Sequence, residues 1–184
     1  MLYRLSSAWA RIEIGLAAVM AASVTGLILL NVVTRAAGNA IYWVDEAAIY
    51  AMVWMTFLAA SAALHFRSSV AVTVVGELSG AAVKRFLGRL VDVAVLAFAL
   101  AMVWVCWQWF MPHELARAGW DIKAFQGNTF NFIYAEPTNT IGLPKVWVWL
   151  VMPVFALGAT LHATANLFHP APAPDPARPN EAIE

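Results

Sequence analysis

The sequence predicts an all-α integral membrane protein with four transmembrane helices. Hydrophobic residues make up 62% of the 184 residues and charged residues only 12%, whereas a soluble domain averages about 25% charged residues. The mean hydropathy is +0.70. Four apolar segments are each long enough to cross a hydrocarbon core of about 30 Å, which takes about 20 residues in a helix. We therefore expect the bilayer, rather than water, to be the solvent for most of the chain.

The four predicted spans cover residues 12–34, 43–65, 87–111 and 146–168. The first span contains no charged residue between Glu13 and Arg35. Because this run is longer than the apolar part of a signal peptide, we interpret it as a retained membrane anchor. Residues 1–168 are thus predicted to form one four-helix membrane domain.

The segment between the second and third spans has an amphipathic pattern. Within residues 70–86, the apolar residues Val74, Val75, Leu78 and Ala82 recur at helical spacing. This pattern predicts a short helix that lies in the plane of the membrane interface. The alternative is an ordinary linker that leads into the third span.

Two further segments lie outside the spans. The outer loop, residues 112–145, is rich in aromatic side chains, which indicates that it packs on another part of the protein. The tail, residues 169–184, has five prolines in its first eleven residues and is expected to be extended and disordered.

The distribution of basic residues predicts the orientation, because short cytoplasmic loops carry an excess of Lys and Arg. One side of the membrane would hold seven: Arg4, Arg11, Arg67, Lys84, Arg85, Arg89 and Arg178. The other side would hold four: Arg35, Arg117, Lys123 and Lys145. Both termini are therefore predicted to be cytoplasmic.

Composition and motifs argue against several functional classes. Eleven basic and eleven acidic residues cancel, which removes a broad electrostatic attraction to nucleic acid. The single cysteine, Cys106, rules out an internal disulfide or a paired-thiol redox centre. The sequence has no phosphate-binding glycine loop, nucleophile elbow or HExxH motif. We predict no catalytic residue, no metal site and no cofactor in this chain.

Two histidines near span ends are the strongest enzyme-like signal, and that signal is weak. His65 ends the second span and His162 lies toward the end of the fourth, so both fall on the same side of the membrane. A haem could be held between such a pair. The favoured interpretation is that each is a histidine at a polar interface.

Charged residues at the outer ends of the first two spans predict a clamp. Asp45 and Glu46 occupy the first turn of the second span, where they face free N–H groups and the positive end of the helix dipole. Asn31 and Arg35 end the first span and are one helical turn apart. Arg35 can therefore meet either acid across a short turn. A structural clamp is favoured over a transport site.

The third span contains one acid near its start. Arg89 precedes Asp92 by three residues on the same helical face, so the two are expected to pair near the interface. An intramembrane carboxylate is a candidate functional group. Its shallow position and basic neighbour favour a structural role.

The first half of the sequence resembles the small membrane subunit of TRAP transporters, the Q-type or DctQ-like small permease. The residues that carry the resemblance are Asn31, Arg35, Trp43, Asp45, Glu46, Trp54, Phe57, Ala59, Ala60 and Ser61. The fourth span also resembles the last helix of that family, with Pro144 at its start and Pro153 inside it. Two departures stand out: the stretch 68–73 lacks the family's frequent histidine and aspartate, and the outer loop is long.

The resemblance implies a scaffold role in a bacterial inner membrane. In that family a large multi-span membrane subunit carries the substrate and sodium sites, and a periplasmic substrate-binding protein delivers an organic acid. The small subunit would contact the large subunit, the binding protein and membrane lipids. Two other functions stay open: a haem-carrying membrane anchor of an oxidoreductase, and a stand-alone dimeric exporter that uses either the Arg35 clamp or Asp92. The sequence does not identify the solute.

Overall fold

A computed structural model describes residues 1–66 and 81–169, and these residues form an all-α fold. Its helices are α1 (Leu2–Ala36), α2 (Trp43–Phe66), α3 (Ala81–Phe110), α4 (Pro112–Arg117), α5 (Ile122–Thr129), α6 (Val146–Trp149) and α7 (Val151–Phe168). Four helical segments are long and apolar enough to cross a membrane: α1, α2, α3 with its continuation, and α6 together with α7. The predicted all-α membrane fold with four transmembrane helices is confirmed.

Two helices are longer than the sequence predicted. Helix α1 starts at Leu2, ten residues before the predicted span, and its 35 residues extend over about 52 Å. Helix α3 starts at Ala81 rather than at residue 87. Hydropathy marks only the apolar part of each helix, whereas the backbone hydrogen bonds continue into the polar flanks.

Two predicted segments fall largely outside the described residues. Most of the predicted interfacial helix falls on residues 67–80, and the remainder, residues 81–86, belongs to α3. Nearly all of the proline-rich tail, residues 170–184, also lies outside the described residues. The interfacial helix and the disordered tail stay predictions.

The long helices pack in a chain of neighbours. Helix α1 packs mainly on α2, α2 packs on α7, α7 packs on α3, and α1 also reaches α7. We call the end of the bundle where α1 begins and α2 and α7 finish the terminal end, and the opposite end the loop end. Most of the α1 surface stays outward: only 6% of its most apolar window is buried. Lipid or another membrane protein must cover that surface.

The turn between α1 and α2 is fixed by a glycine. Gly38 has a φ of +76°, a conformation that costs a residue with a Cβ roughly 1–2 kcal/mol. The Gly38 N–H donates to the Arg35 carbonyl at 3.1 Å, and the Asn39 N–H donates to the Thr34 carbonyl at 2.9 Å. This pair of bonds is a Schellman motif, which ends α1 and turns the chain toward α2.

The outer loop is folded, as its aromatic content indicated. Phe125 of α5 is fully buried in a cluster with Phe110 of α3, Leu115 of α4 and Ala156 of α7. The Tyr134 hydroxyl donates to the Phe110 carbonyl at 2.6 Å, and burial raises the pKa of the Tyr134 phenol. The loop therefore caps the loop end of α3 and α7.

Phe125→Ala should release the outer loop. Removing a fully buried phenyl ring costs about 3–5 kcal/mol, so we expect limited proteolysis within the loop to accelerate strongly in the purified chain. Phe130→Ala is the matched control, because Phe130 lies on the same loop and is 82% exposed. Equal cleavage rates for the two variants would contradict the packing described here.

Candidate functional site

The clamp residues meet at the loop end in a closed triad. Arg35 Nη2 lies 2.6 Å from Asp45 Oδ2, and Arg35 Nε donates to Asn31 Oδ1 at 2.8 Å. The Asn31 amide donates in turn to Asp45 Oδ1. The Arg35 and Asp45 side chains are 57% and 49% exposed. The triad joins α1 to α2, although an ion pair this exposed to water contributes only about 0–1 kcal/mol.

Glu46 has a different partner from the one its position predicts. We expected it to face its own helix terminus or Arg35, but its carboxylate binds the outer loop. It accepts hydrogen bonds from the Asn139 N–H at 2.7 Å, from the Thr140 N–H and hydroxyl at 2.6 Å each, and from the Ile141 N–H at 3.2 Å. Tyr50 on the next turn of α2 donates a further bond at 2.5 Å. Glu46 is only 8% exposed.

A hairpin-like turn presents these N–H groups to Glu46. The Lys145 N–H donates to the Glu136 carbonyl at 2.8 Å, and the Thr138 N–H donates to the Leu143 carbonyl at 2.7 Å. Lys145 Nζ and Glu136 Oε1 lie 2.6 Å apart. Successive backbone N–H groups in such a turn form a concave anion site. The hairpin, residues 136–145, is thereby fastened to the first turn of α2.

The other candidate residues lie along the bundle. Trp43 starts α2 and is 45% exposed, and Trp54 is half-buried in the middle of α2. Phe57 meets Phe155 edge to face, with ring centroids 5.4 Å apart.

Arg89 and Asp92 lie near the terminal end of α3. Arg89 donates to the Leu167 carbonyl near the end of α7, and Asp92 is 7% exposed. The predicted pairing of these two residues stays a prediction.

A second polar cluster, which the sequence analysis did not predict, lies toward the terminal end. We call it the Ser6 cluster; it consists of Ser6, Glu13, His65 and His162. The Ser6 hydroxyl lies 2.7 Å from Nδ1 of each histidine. His162 Nε2 lies 2.9 Å from Glu13 Oε2. Ser6, Glu13 and His162 are fully buried, and His65 is 7% exposed. The cluster joins α1, α2 and α7.

Gly158 allows the Glu13 side of the cluster to form. A Cβ at this position would lie 2.5 Å from Glu13 Oε1, 2.6 Å from Ser61 Oγ and 2.9 Å from Trp9 Nε1. These three polar atoms are buried and have no hydrogen-bond partner among the described residues. A glycine at this point of α7 is what lets the polar side chains of α1 and α2 approach so closely.

The Ser6 cluster contains contacts that the sequence analysis missed. That analysis treated Glu13 only as the start of the first span, and it favoured His65 and His162 as separate histidines at a polar interface. In the structure, both ring nitrogens of His162 are engaged by Ser6 and Glu13. The available signal was the buried stripe of α1, which is Ser6, Ala10, Glu13 and Ala17. This stripe places two polar residues on one helical face.

Comparison with known proteins gives one family. The model of the family described as tripartite ATP-independent periplasmic transporters, DctQ component, matches residues 24–172, which is most of the chain. No curated protein and no solved structure matches the chain.

Gly158→Ala should loosen the bundle at the terminal end. The added methyl group overlaps three buried side-chain atoms of α1 and α2, so these side chains or α7 must shift, and overpacking of this kind costs about 1–3 kcal/mol. We expect a lower melting temperature of the purified chain. Gly88→Ala in α3 is the control, because a Cβ there meets nothing within 4 Å; it should leave the melting temperature unchanged or raise it. A Gly158→Ala protein as stable as the control would refute the close approach.

Glu46→Gln should free the hairpin. The neutral amide cannot accept as strongly from the backbone donors, and hydrogen bonds to a charged group contribute about 1.5–3 kcal/mol. We expect hydrogen–deuterium exchange at residues 139–141 to accelerate about tenfold or more. Asp45→Asn is the neighbouring control, since it breaks the clamp but leaves the hairpin contacts. Equal exchange in both variants would show that Glu46 does not hold the hairpin.

Proposed function

Because the chain belongs to the DctQ component family of tripartite ATP-independent periplasmic (TRAP) transporters, we propose that it is the scaffold subunit of a sodium-coupled importer of organic acids. The family is a transporter component and not an enzyme. The observation that carries the proposal is the family match across α1 to α7.

A large membrane subunit is the proposed main partner. Helix α1 leaves most of its apolar surface uncovered by this chain, which supports a neighbour within the membrane as well as lipid. Substrate and sodium would bind to the large subunit. In the part of the chain that the structure describes, Glu46 lies in the first turn of α2 and His65 in its last turn, so these buried groups stand at the ends of the bundle. A transporter core instead binds substrate near the midplane. Glu13 reaches Gly158 near the middle of the fourth span, where His162 engages its carboxylate.

The proposed location is a bacterial inner membrane with both termini in the cytoplasm. The excess of basic residues on the side of the termini supports this orientation. The loop end would then face the periplasm. There the exposed aromatic residues Trp120, Phe130 and Phe132 offer a surface to the substrate-binding protein, because aromatic residues are enriched at protein interfaces.

The two alternative functions find less support. A haem ligand needs a free imidazole nitrogen, and both nitrogens of His162 already have partners. An exporter that used the clamp as its transport site would need that site near the middle of the membrane, yet Arg35 and Asp45 meet at one end of the bundle and are about half exposed.

Arg35→Ala should reduce uptake without changing the solute preference. Loss of the triad loosens the α1–α2 turn, so less large subunit should co-purify with this chain in mild detergent, and the uptake rate should fall in proportion. Arg117→Ala is the control, because Arg117 also lies at the loop end and, among the described residues, pairs with Glu114 of its own helix. A changed order of solute preference would show that this region contacts substrate and would overturn the scaffold role.

The decisive test of the proposal is reconstitution. Liposomes that contain the large subunit, the binding protein and this chain should accumulate an organic acid when a sodium gradient is imposed, and liposomes that lack this chain should not. Accumulation by liposomes that contain this chain alone would disprove the proposed function.

A further inference from the structure

A scaffold that only binds a larger subunit does not require the buried polar residues of the Ser6 cluster. The cluster lies inside a membrane-spanning bundle, where polar residues are costly and are usually retained for a function. Apolar side chains would join the same helices at lower desolvation cost. The arrangement of its hydrogen bonds indicates what the cluster does.

The single proton of the Ser6 hydroxyl restricts the histidine tautomers. Ser6 lies 2.7 Å from Nδ1 of both His65 and His162. A hydroxyl has one proton to donate, so it donates to one of the two nitrogens and accepts from the other. One histidine must therefore carry a proton on Nδ1, and the other must not.

The Glu13 carboxylate determines which of the two histidines carries the Nδ1 proton. An ionised carboxylate only accepts hydrogen bonds, so in the state in which Glu13 is ionised, His162 Nε2, which is 2.9 Å from Glu13 Oε2, carries a proton. A neutral His162 then has a bare Nδ1 and accepts from the Ser6 hydroxyl. Ser6 in turn accepts from the Nδ1–H of His65, which leaves the lone pair of His65 Nε2 unprotonated.

We propose that the Ser6 cluster is a proton-binding site in which His65 receives a proton and a relay through Ser6 delivers it to Glu13. The incoming proton bonds to His65 Nε2. The Nδ1 proton of His65 moves to the Ser6 oxygen, and the hydroxyl proton moves to His162 Nδ1. The Nε2 proton of His162 then moves to Glu13 Oε2. Only N–H and O–H bonds form and break, and the cluster changes its charge from −1 to neutral.

Burial supplies the driving force and the direction. Glu13 and His162 are fully buried. Burial destabilises an ionised carboxylate beside a neutral imidazole because the charge loses its hydration, and an added proton removes that charge. His65, in the last turn of α2, is the one member of the cluster that keeps exposed surface. Protons therefore arrive through His65, from the terminal end.

Other titratable groups surround the cluster on each helix. From α1, the Tyr3 ring lies 5.3 Å from the His65 ring and 5.7 Å from the His169 ring, and Arg4 and Arg11 are exposed. From α3, Arg89 donates to the carbonyl of Leu167, which follows His162 along α7, and Asp92, three residues after Arg89, is also buried. On the far side of Glu13 lie the indole of Trp9 and the hydroxyl of Ser61.

Proton binding changes the hydrogen bonds that link α1, α2 and α7. Ser6 on α1 is the bridge between His65 on α2 and His162 on α7, and each step of the relay exchanges donor and acceptor along that bridge. The proposal concerns this chain alone and does not depend on the transported solute.

The test measures the tautomers and the titration of His65 and His162 by ¹⁵N NMR. The full chain, labelled with ¹⁵N-histidine and placed in lipid nanodiscs, should show neutral His65 as the Nδ1–H tautomer and neutral His162 as the Nε2–H tautomer. His65→Asn and His162→Asn assign the two signals. On acidification both signals should change at one common pH. An Nε2–H tautomer for both histidines, or independent titration in the wild-type chain, would overturn the proposal.

Three variants separate the relay from a purely structural role. Ser6→Ala should uncouple the titration of His65 from that of His162. Ser6→Thr should preserve the coupling because threonine keeps the hydroxyl. The neighbouring Ser7→Ala should leave the coupling unchanged. Infrared difference spectra between high and low pH should contain, beside the bands of the other carboxyl groups, one carboxylic-acid band in the wild-type chain that Glu13→Gln abolishes. This measurement remains decisive if Ser6→Ala fails to fold. A carboxyl spectrum that is identical in wild type and Glu13→Gln would also overturn the proposal.

Discussion

The need to pair carboxylates that the bundle buries determines much of this structure. Apolar packing cannot by itself choose which helices meet, because lipid tails are as apolar as the helix surfaces. Hydrogen bonds to buried charge make that choice. Glu46 requires the hairpin at the loop end, and Glu13 requires His162 toward the terminal end. Each carboxylate brings α2 or α1 together with a segment that is distant in sequence, and removing a partner would leave a buried charge uncompensated.

The parts of the fold that depend on local sequence were predictable. Hydropathy identified the four spans, and the i, i+4 spacing of Asn31 and Arg35 with a short turn identified the contact with Asp45. The parts that depend on distant partners were not predictable. The sequence around Glu46 does not indicate that its carboxylate oxygens accept a hydrogen bond from Thr140, 94 residues away. Likewise, Ser6 meets histidines 59 and 156 residues away, and only three-dimensional packing brings them together.

Polar contacts join distant segments at the loop end and toward the terminal end: Glu46 binds the hairpin, and Ser6 contacts both His65 and His162. At the loop end Glu46 fastens the hairpin, and the outer loop also presents exposed aromatic residues. The middle of α1 offers a long apolar surface. A DctQ-family chain built this way has one surface within the bilayer and another in water, which are the two environments that a tripartite transporter connects.

The length of α1 has a mechanical consequence. A rod of about 52 Å does not fit upright within a hydrocarbon layer of about 30 Å, so hydrophobic mismatch is relieved by tilt or by protrusion into the headgroups. Because the Ser6 cluster and the Arg35 triad fasten both ends of this rod to α2, α2 must lean with it. A thicker or thinner membrane would therefore alter the angle at which the whole outer hairpin stands above the lipid surface.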